Sequence, residues 1–185
     1  MMTTGSKTRA AIAALAVSAT GFAAYLGYEG WSGTATPPVK GDVPTYGFGS
    51  TRGADGKPLR GGETISPPQA VRLALRDLQA AEGGLRKCLD GVELFQHEYD
   101  AYASLALNVG HAAVCASSIP AKLRAGEYTA ACRTIQDFSK FCVKPKTRDA
   151  RGKLVCPAGA LREIRGLRTR REREYLMCTG IEHEQ

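Results

Sequence analysis

The pattern of hydrophobic and polar positions divides the chain into an apolar N-terminal segment, a glycine-rich stretch and a series of amphipathic helices. Residues 10–28 carry no charge. In residues 39–59, glycine recurs every few positions among Val, Thr, Tyr and Phe, which predicts short strands and a turn at the sequence ADGKP. Helical spacing of apolar residues dominates the remainder. We therefore predict an α+β fold that is mainly α, with one small hairpin region.

The clearest helix start lies at Ser66. Pro67 occupies the first helical position and Gln69 follows the cap by three residues, which is a capping-box pattern. The predicted apolar stripe of this helix comprises Ala70, Val71, Ala74, Leu75 and Leu78. Further helices are predicted over residues 95–110, 119–123, 128–138 and 158–177.

The apolar segment 10–28 has the length of a membrane span. As a helix it would extend about 28 Å, close to the hydrocarbon thickness of a bilayer. Its many alanines make it a weak anchor, and Lys7 and Arg9 before it predict a cytoplasmic N-terminus with the remainder exported. A cleaved signal peptide is the open alternative. An amphipathic helix of a soluble protein is disfavoured because the segment has no polar face.

The chain is basic, with 25 Lys and Arg against 18 Asp and Glu and a net charge of +7. This excess favours anionic partners in general, such as nucleic acid, lipid head groups or a bacterial envelope. Many of the basic residues lie in the sequence LREIRGLRTRRERE, residues 161–174. We interpret this run as a solvated helix face with ion pairs, in preference to a dedicated anion-binding patch.

The number of cysteines is even, and all of them follow the apolar segment: Cys88, Cys115, Cys132, Cys142, Cys156 and Cys178. No Cys-x-x-Cys pair occurs, and the three histidines lack metal-ligand spacing, so three disulfides are favoured over a zinc site or reduced thiols. The sequence allows about 15 connectivities. Proximity favours Cys115 with Cys132 and Cys142 with Cys156, which leaves Cys88 with Cys178.

The candidate chemistry begins at Glu29, the first acid after the apolar segment. Asp42 and Thr45 lie in the glycine-rich stretch. If a helix ending at Glu29 faces the hairpin, these residues provide two carboxyl groups and a hydroxyl, the groups that a glycosidase uses. From the residues alone, a turn role for Asp42 and a helix-end role for Glu29 is the alternative.

Six motifs in order resemble the phage lysozymes, or endolysins, of glycoside hydrolase family 24. They are YEGWSG, GDVPTYGFGST, ETISPPQAVRLALRDL, FQHEYDAYASLALNVG, SSIPAKLRAGEYTAAC and GLRTRREREYLMC. The resemblance implies a lysozyme-like fold with the hairpin at the cleft, and hydrolysis of the β-1,4 bond between N-acetylmuramic acid and N-acetylglucosamine in peptidoglycan. With the export segment in front, the chain is similar to signal-anchor-release endolysins, which are held inactive at the inner membrane until depolarisation.

The resemblance carries over to the catalytic residues unevenly. Glu29 in YEG matches the general acid of the family, and Thr45 in TYGFG matches the threonine of its TxGxG signature. The family's middle Asp or Cys would fall at Pro38 or Val39, so we nominate Asp42, the only acid between Glu29 and Thr45. The family implies inversion, with carboxyl groups roughly 6.5 to 9.5 Å apart. Because the anchor contains no cysteine, we expect activation by refolding without disulfide exchange.

Three further residues are candidates for binding the substrate. Trp31 and Tyr46 offer aromatic surface near the acid and the hairpin, and Asn108 lies at the end of a predicted helix. For Trp31 and Asn108, core packing and helix termination are equally good explanations. His97 and His111 receive no catalytic role, and we expect no metal or other cofactor.

The expected organisation is a cytoplasmic tail of residues 1–9, a signal-anchor segment of residues 10–28, a muramidase domain of residues 29–180 and a tail of residues 181–185. The expected partners are peptidoglycan glycan strands, the host secretion machinery and the inner membrane, with no nucleic acid, and the protein is expected to be a monomer. It would face the periplasm from the inner membrane and then become soluble there. A lytic transglycosylase and an inactive peptidoglycan-binding protein are the alternatives.

Overall fold

A computed structural model describes residues 8–38, 42–142, 147–148 and 154–181. Most of the expected cytoplasmic tail, residues 1–7, lies outside these ranges, as do Val39 and residues 182–185 of the expected C-terminal tail.

The described residues form a mainly helical fold, which confirms the predicted class. The α-helices are α1 Ala19–Glu29, α2 Pro67–Cys88, α3 Gln96–Val109, α4 His111–Cys115, α5 Ile119–Arg124, α6 Tyr128–Thr134 and α7 Arg165–Thr179. Short 3₁₀ turns occupy Ile12–Ala14 and Ile135–Ser139. The helical prediction for residues 128–138 therefore corresponds to α6 and the turn that continues from it.

The strands are short and pair in antiparallel twos. They are β1 Ala10–Ala11, β2 Ser32–Thr36, β3 Thr45–Gly47, β4 Glu93–Leu94, β5 Lys140–Cys142, β6 Thr147–Arg148, β7 Leu154–Val155 and β8 Leu161–Glu163. The pairs are β1 with β4, β2 with β3, β5 with β8 and β6 with β7. The hairpin next to the candidate acid begins at Ser32, before the predicted stretch of residues 39–59. Strand β8 also shortens the helix predicted over residues 158–177, because α7 begins only after it.

The larger core is built around α3. Tyr99, Tyr102 and Leu105 on this helix are fully buried, and α3 packs between α2 and α7. A second, small cluster under the hairpin contains Ala35, Tyr46 and Leu73. Helix α1 contacts both parts: Phe22 packs against the larger core, and the Tyr25 hydroxyl bonds to Phe48 O beside β3.

Helix α2 starts as predicted, with the capping box of Ser66 and Gln69 present. Its predicted apolar stripe is wrong in part, since Val71 and Leu75 are 38% and 43% exposed. The buried face instead runs through Leu73, Ala74 and Leu78 toward Leu85. Tertiary packing decides which positions are buried, because the helix contacts β3, α3 and α4.

The apolar segment 10–28 is not the single helix that its length predicted. Residues 10 and 11 pair with β4, the 3₁₀ turn follows, and α1 begins only after Ser18, whose side chain accepts a hydrogen bond from the Gly21 N–H at 3.0 Å. Ile12 is 2% exposed in the larger core. Among the described residues, no helix combines the length and the apolar character needed to cross a membrane.

Three carboxylates of the helical core hold this N-terminal segment. Glu98 accepts two hydrogen bonds from the Arg9 guanidinium, at 2.8 and 3.1 Å. Glu82, 5% exposed, accepts from the Val17 N–H at 2.9 Å. Asp100, 6% exposed, accepts from the backbone N–H and the hydroxyl of Ser18. The segment is therefore attached by hydrogen bonds to buried charge as well as by apolar contact.

Three disulfides are present, as predicted, but two of the predicted pairings are wrong. Cys142 pairs with Cys156 as expected. The other two bonds join Cys88 to Cys115 and Cys132 to Cys178. Proximity in sequence failed because helix packing decides these pairs: the end of α2 lies beside α4, and α6 lies beside α7. Each of the three pairs has its Cα atoms 5.7 Å apart.

We expect Asp100→Ala to loosen the N-terminal segment. The substitution leaves the Ser18 N–H without its buried acceptor, so the free energy of unfolding should fall by roughly 1–3 kcal/mol. Amide hydrogen exchange over residues 15–22 should accelerate more than exchange in α3. Asp90→Ala, which removes an exposed carboxylate, is the matched control. Unchanged exchange in residues 15–22 would show that Asp100 does not hold the segment.

Candidate active site

Glu29 is the last residue of α1, and the chain turns sharply after it. Gly30 follows with a φ of 69°, a conformation that glycine adopts without steric cost, and its N–H closes the helix on Leu26 O at 3.3 Å. The side chain of Glu29 is 23% exposed. The helix therefore presents this carboxyl group at a boundary between core and solvent.

The hairpin side of this boundary is formed by the turn after β3. The Tyr25 hydroxyl, one helical turn before Glu29, donates to Phe48 O at 3.0 Å. A Cβ atom on Gly49 would lie only 2.9 Å from Glu29 Oε2, so the glycine allows the carboxyl group to approach the backbone. The helix that ends at Glu29 thus faces the hairpin, which is the arrangement that the two-carboxyl hypothesis required.

The hairpin is fixed to α2 beneath this contact. The Ser50 hydroxyl, 4% exposed as a residue, donates to Asp77 Oδ2 at 2.7 Å, and Arg76 holds the other oxygen of Asp77 at 2.8 Å. Arg76 also donates to Gly53 O. The turn that contacts Glu29 is therefore anchored by a hydrogen-bonded ion pair and not by backbone pairing alone.

On its other side, Glu29 is held by Arg170 of α7. Arg170 Nη1 donates to Glu29 Oε1 at 2.5 Å. The same guanidinium donates through Nε to Glu174 Oε1 at 3.2 Å. It also lies over the ring of Tyr28, 5.7 Å from the centroid. Arg170 thus links the end of α1 to the buried face of α7.

The buried face of α7 carries two further charged side chains. Arg171 is 1% exposed and Glu174 is fully buried. Arg171 donates to Glu174 and to Asn108 Oδ1 at 3.0 Å, and Ser104 donates to Glu174 at 2.8 Å. The interpretation of residues 161–174 as a solvated face is wrong for Arg170, Arg171 and Glu174. It fails because these side chains pair with one another inside the core, and Ser104 and Asn108 add neutral partners.

Burial and charge shift several groups around Glu29. Burial raises the pKa of the Tyr25 phenol, and the Glu29 carboxylate raises it further. Burial opposes the charge of Arg170, but Glu29 and Glu174 together raise its pKa above the ordinary value. Burial lowers the pKa of Arg171. Tyr25 and both arginines therefore keep their protons at neutral pH, and the charge in direct contact with Glu29, that of Arg170, is positive.

Asp42 and Thr45 lie on the hairpin, as the sequence places them. Thr45 is half-buried on β3, opposite Thr36 in the register. Asp42 is exposed before β3, and its carboxylate accepts a hydrogen bond from the Val43 N–H at 2.8 Å. Both remain predicted catalytic residues.

The three predicted substrate-binding residues differ in environment. Trp31 is 48% exposed, with its ring 5.5 Å from that of Phe48 beside the Glu29 turn. Tyr46 is 6% exposed and packs in the small cluster. Asn108 is exposed at the end of α3 and accepts from Arg171. Trp31 therefore offers an accessible aromatic surface for a ligand.

Sequence reasoning missed Arg170, Arg171 and Glu174. A signal for part of this set is present in the spacing of Leu167, Arg171, Glu174 and Cys178, which recur at intervals of four, three and four. If charged residues are allowed on the buried face, this spacing identifies the side of α7 that faces the core. No cluster of three or more His, Cys, Asp or Glu side chains suited to a metal ion occurs within the described ranges.

Comparison with known proteins places these features in a family. The model of the family described as phage lysozyme matches residues 27–174. The endolysin of Salmonella phage P22 is 36% identical over 89 residues, 48% of this chain and 60% of that protein. The chain thus spans less than two thirds of the length of this relative.

Solved structures share the fold. The endolysin from Escherichia coli O157:H7 phage FAHEc1 superposes with a TM-score of 0.72 and 26% identity, over 92% of this chain and 96% of that one. The active form of the P1 phage endolysin Lyz superposes with a TM-score of 0.67 over 96% and 98% of the two chains. At 21% sequence identity, this superposition shows a common fold.

We expect Gly49→Ala to displace the Glu29 carboxyl group. The added Cβ meets Glu29 Oε2, the mobile end of a side chain, which should move away and weaken its bond to Arg170. Gly56→Ala is the matched control, since Gly56 has a similar φ of 77° and no atom near its would-be Cβ. Both variants should lose roughly 1–2 kcal/mol of unfolding free energy from the left-handed backbone. Only Gly49→Ala should change the carboxyl ¹³C signal of Glu29, and an equal change in both would contradict this.

Proposed function

Because the chain belongs to the phage lysozyme family, we propose that it is an endolysin that hydrolyses the β-1,4 bond between N-acetylmuramic acid and N-acetylglucosamine in peptidoglycan. The observation that carries the proposal is the position of Glu29. Its carboxyl group is partly exposed at the end of α1, between the glycine turn of the hairpin and the guanidinium of Arg170. The name endolysin borne by the P22 relative agrees with this assignment.

In the proposed reaction Glu29 is the general acid. Arg170 occupies Oε1, so Oε2, which lies toward Gly49, is the oxygen left to carry the proton. That proton passes to the glycosidic oxygen as the bond from this oxygen to the anomeric carbon breaks. A water molecule bonds to the anomeric carbon and gives up its proton to Asp42, with Thr45 orienting the water. Transfer of that proton to solvent and reprotonation of Glu29 restore the enzyme.

Peptidoglycan fits the surface around this group. The exposed ring of Trp31 stands beside the Glu29 turn, where it can stack on a sugar. The net charge of +7 favours retention on an anionic cell envelope. These features support peptidoglycan as the substrate class.

We further propose that residues 10–28 act as a releasable anchor at the host inner membrane, and that the enzyme acts in the periplasm after release. The support is the dual character of this segment. It has nineteen uncharged residues preceded by Lys7 and Arg9, yet in the folded domain its backbone is hydrogen bonded by Glu82 and Asp100. A segment that can both insert into a bilayer and pack on the folded domain can move from the membrane to the domain. While it lies in the bilayer, Glu29 cannot reach the hairpin and Arg170.

Substitution of Glu29 tests the proposed chemistry. Glu29→Gln should lower the rate of reducing-end release from purified peptidoglycan by about 100-fold or more, because it removes the proton donor. Asp42→Asn should also lower the rate, whereas Asp90→Asn, an exposed carboxylate elsewhere, should not. Full activity of Glu29→Gln would remove this mechanism. Products ending in 1,6-anhydromuramic acid would identify a lytic transglycosylase instead.

Cell fractionation tests the proposed anchor. Before depolarisation the full-length chain should sediment with inner membranes, and after depolarisation it should appear in the soluble periplasmic fraction with its N-terminus unchanged. A variant with Leu15 and Val17 both replaced by Lys should fail to partition into membranes, because charge in the span opposes insertion. A new N-terminus near residue 20 would show a cleaved signal peptide and not a releasable anchor.

A further inference from the structure

Glu174 is a buried carboxylate that the proposed reaction does not use. It is 0% exposed, and its Oε1 accepts from the Ser104 hydroxyl at 2.8 Å, from Arg170 Nε at 3.2 Å and from Arg171 Nη2 at 3.1 Å. Arg171 Nε lies 2.8 Å from Oε2. A charge this deeply buried is costly unless its partners offset it, so its presence needs an explanation.

Arg170 connects this carboxylate to Glu29. Its Nε faces Glu174 and its Nη1 faces Glu29, so a single guanidinium serves both carboxyl groups. The side chain of Arg170 is only 11% exposed. Little water screens these charges from one another, and the state of one carboxylate therefore bears on the other.

The reaction places opposing demands on Glu29. A general acid must hold a proton at the working pH. A guanidinium that bonds to the same carboxyl group favours the ionised form. Arg170 and Arg171 cannot relieve this conflict by losing their protons, because arginine stays charged in proteins. A nearby negative charge can relieve it.

We propose that Glu174 is a positioning residue for Glu29, which holds Arg170 in place and offsets its charge so that Glu29 keeps the Arg170 hydrogen bond and can still carry the catalytic proton. This inference rests on the proposed role of Glu29 as the general acid. It gives Glu174 on α7 a role in the reaction that does not require contact with the substrate.

Counting charges shows the direction of the effect. With Glu29 ionised, two arginines and two carboxylates sum to zero, and protonation of Glu29 brings the cluster to +1. In Glu174→Gln the same two states carry +1 and +2, so protonation of Glu29 becomes less favourable. In Arg171→Gln they carry −1 and 0, so protonation becomes more favourable. The two substitutions are therefore expected to act in opposite directions.

The groups that α1 and α3 direct at the cluster are neutral. The nearby exposed charges are Arg173 over the Tyr28 ring and Glu163, Arg168 and Glu172 beside Arg171, and they are the same in every variant compared. Helix α3 contributes the Ser104 hydroxyl and the Asn108 amide, which are neutral. Helix α1 contributes the phenols of Tyr25 and Tyr28. Burial raises the pKa of Tyr25, which keeps it neutral. Burial raises the pKa of Glu174, and Arg171, Arg170 and Ser104 act in the opposite direction. Its contacts with two guanidinium groups that stay charged favour the carboxylate form used in the charge count.

The test measures the protonation of Glu29 directly in the full folded chain. A ¹³C titration of its carboxyl carbon should show the midpoint falling by about one pH unit in Glu174→Gln and rising in Arg171→Gln, a change of about tenfold in the ratio of the two forms. The alkaline limb of the rate on peptidoglycan should move in the same directions, with KM unchanged. Arg171→Gln provides the measurement if Glu174→Gln does not fold.

Matched variants separate this role from simple packing. Ser104→Ala removes a hydrogen bond to the same oxygen of Glu174 but keeps all four charges, so it should lower the melting temperature and leave the midpoint unchanged. Glu174→Asp keeps the charge and should stay near the wild-type midpoint. A midpoint for Glu29 that does not move in folded Glu174→Gln or Arg171→Gln overturns the proposal. Failure of the proposed function itself would be seen in a different experiment, as undiminished activity of Glu29→Gln.

Discussion

The guanidinium of Arg170, shared between Glu29 and Glu174, is the interaction on which the geometry of the candidate site depends. It joins the end of α1 to α7, and through Glu174 and Ser104 it reaches α3. Without it, Glu29 would be a charged residue at a helix terminus, free to turn into solvent. With it, one carboxyl oxygen is fixed and the other is directed to the hairpin.

Helix α7 owes its place in the core to more than apolar contact. Its buried face carries Arg171 and Glu174 together with Met177 and Cys178. A paired buried charge adds little net stability but is costly to break, so such a face fits its neighbours in one arrangement. The disulfide from Cys178 to Cys132 fixes the C-terminal end of the helix to α6. Apolar packing, the disulfide bond and ion pairing thus together hold Arg170 in place.

The sequence predicts those features that depend on local rules. The capping box at Ser66 and the helix end at Gly110 follow from the preferences of single residues, and both are present. The mainly helical class with a small hairpin, and the presence of three disulfides, could also be inferred. The end of the uncharged segment singled out Glu29 as the first acid, whereas its orientation toward the hairpin was only a condition of the glycosidase hypothesis.

What the sequence could not provide depends on which surfaces meet. Cysteine pairing followed helix packing, so Cys132 bonded to Cys178 and not to its nearer neighbour Cys115. The burial of Arg171 and Glu174 was hidden because charged side chains are normally solvated, and only their partners on α3 make them an exception. The length of the apolar segment 10–28 predicted a membrane-spanning helix. In the structure, its backbone path depends on hydrogen-bond acceptors far along the chain, such as Asp100.

The pairing of Glu29 with Arg170 can form only late in synthesis of the chain. The two residues are 141 positions apart, so a ribosome releases the acid long before its partner exists. Contacts between such distant positions form late in folding, because a long loop must first be closed. An incomplete or truncated chain would carry Glu29 but could not assemble the site around it. Completion of the polypeptide is therefore itself a condition for the candidate site to exist.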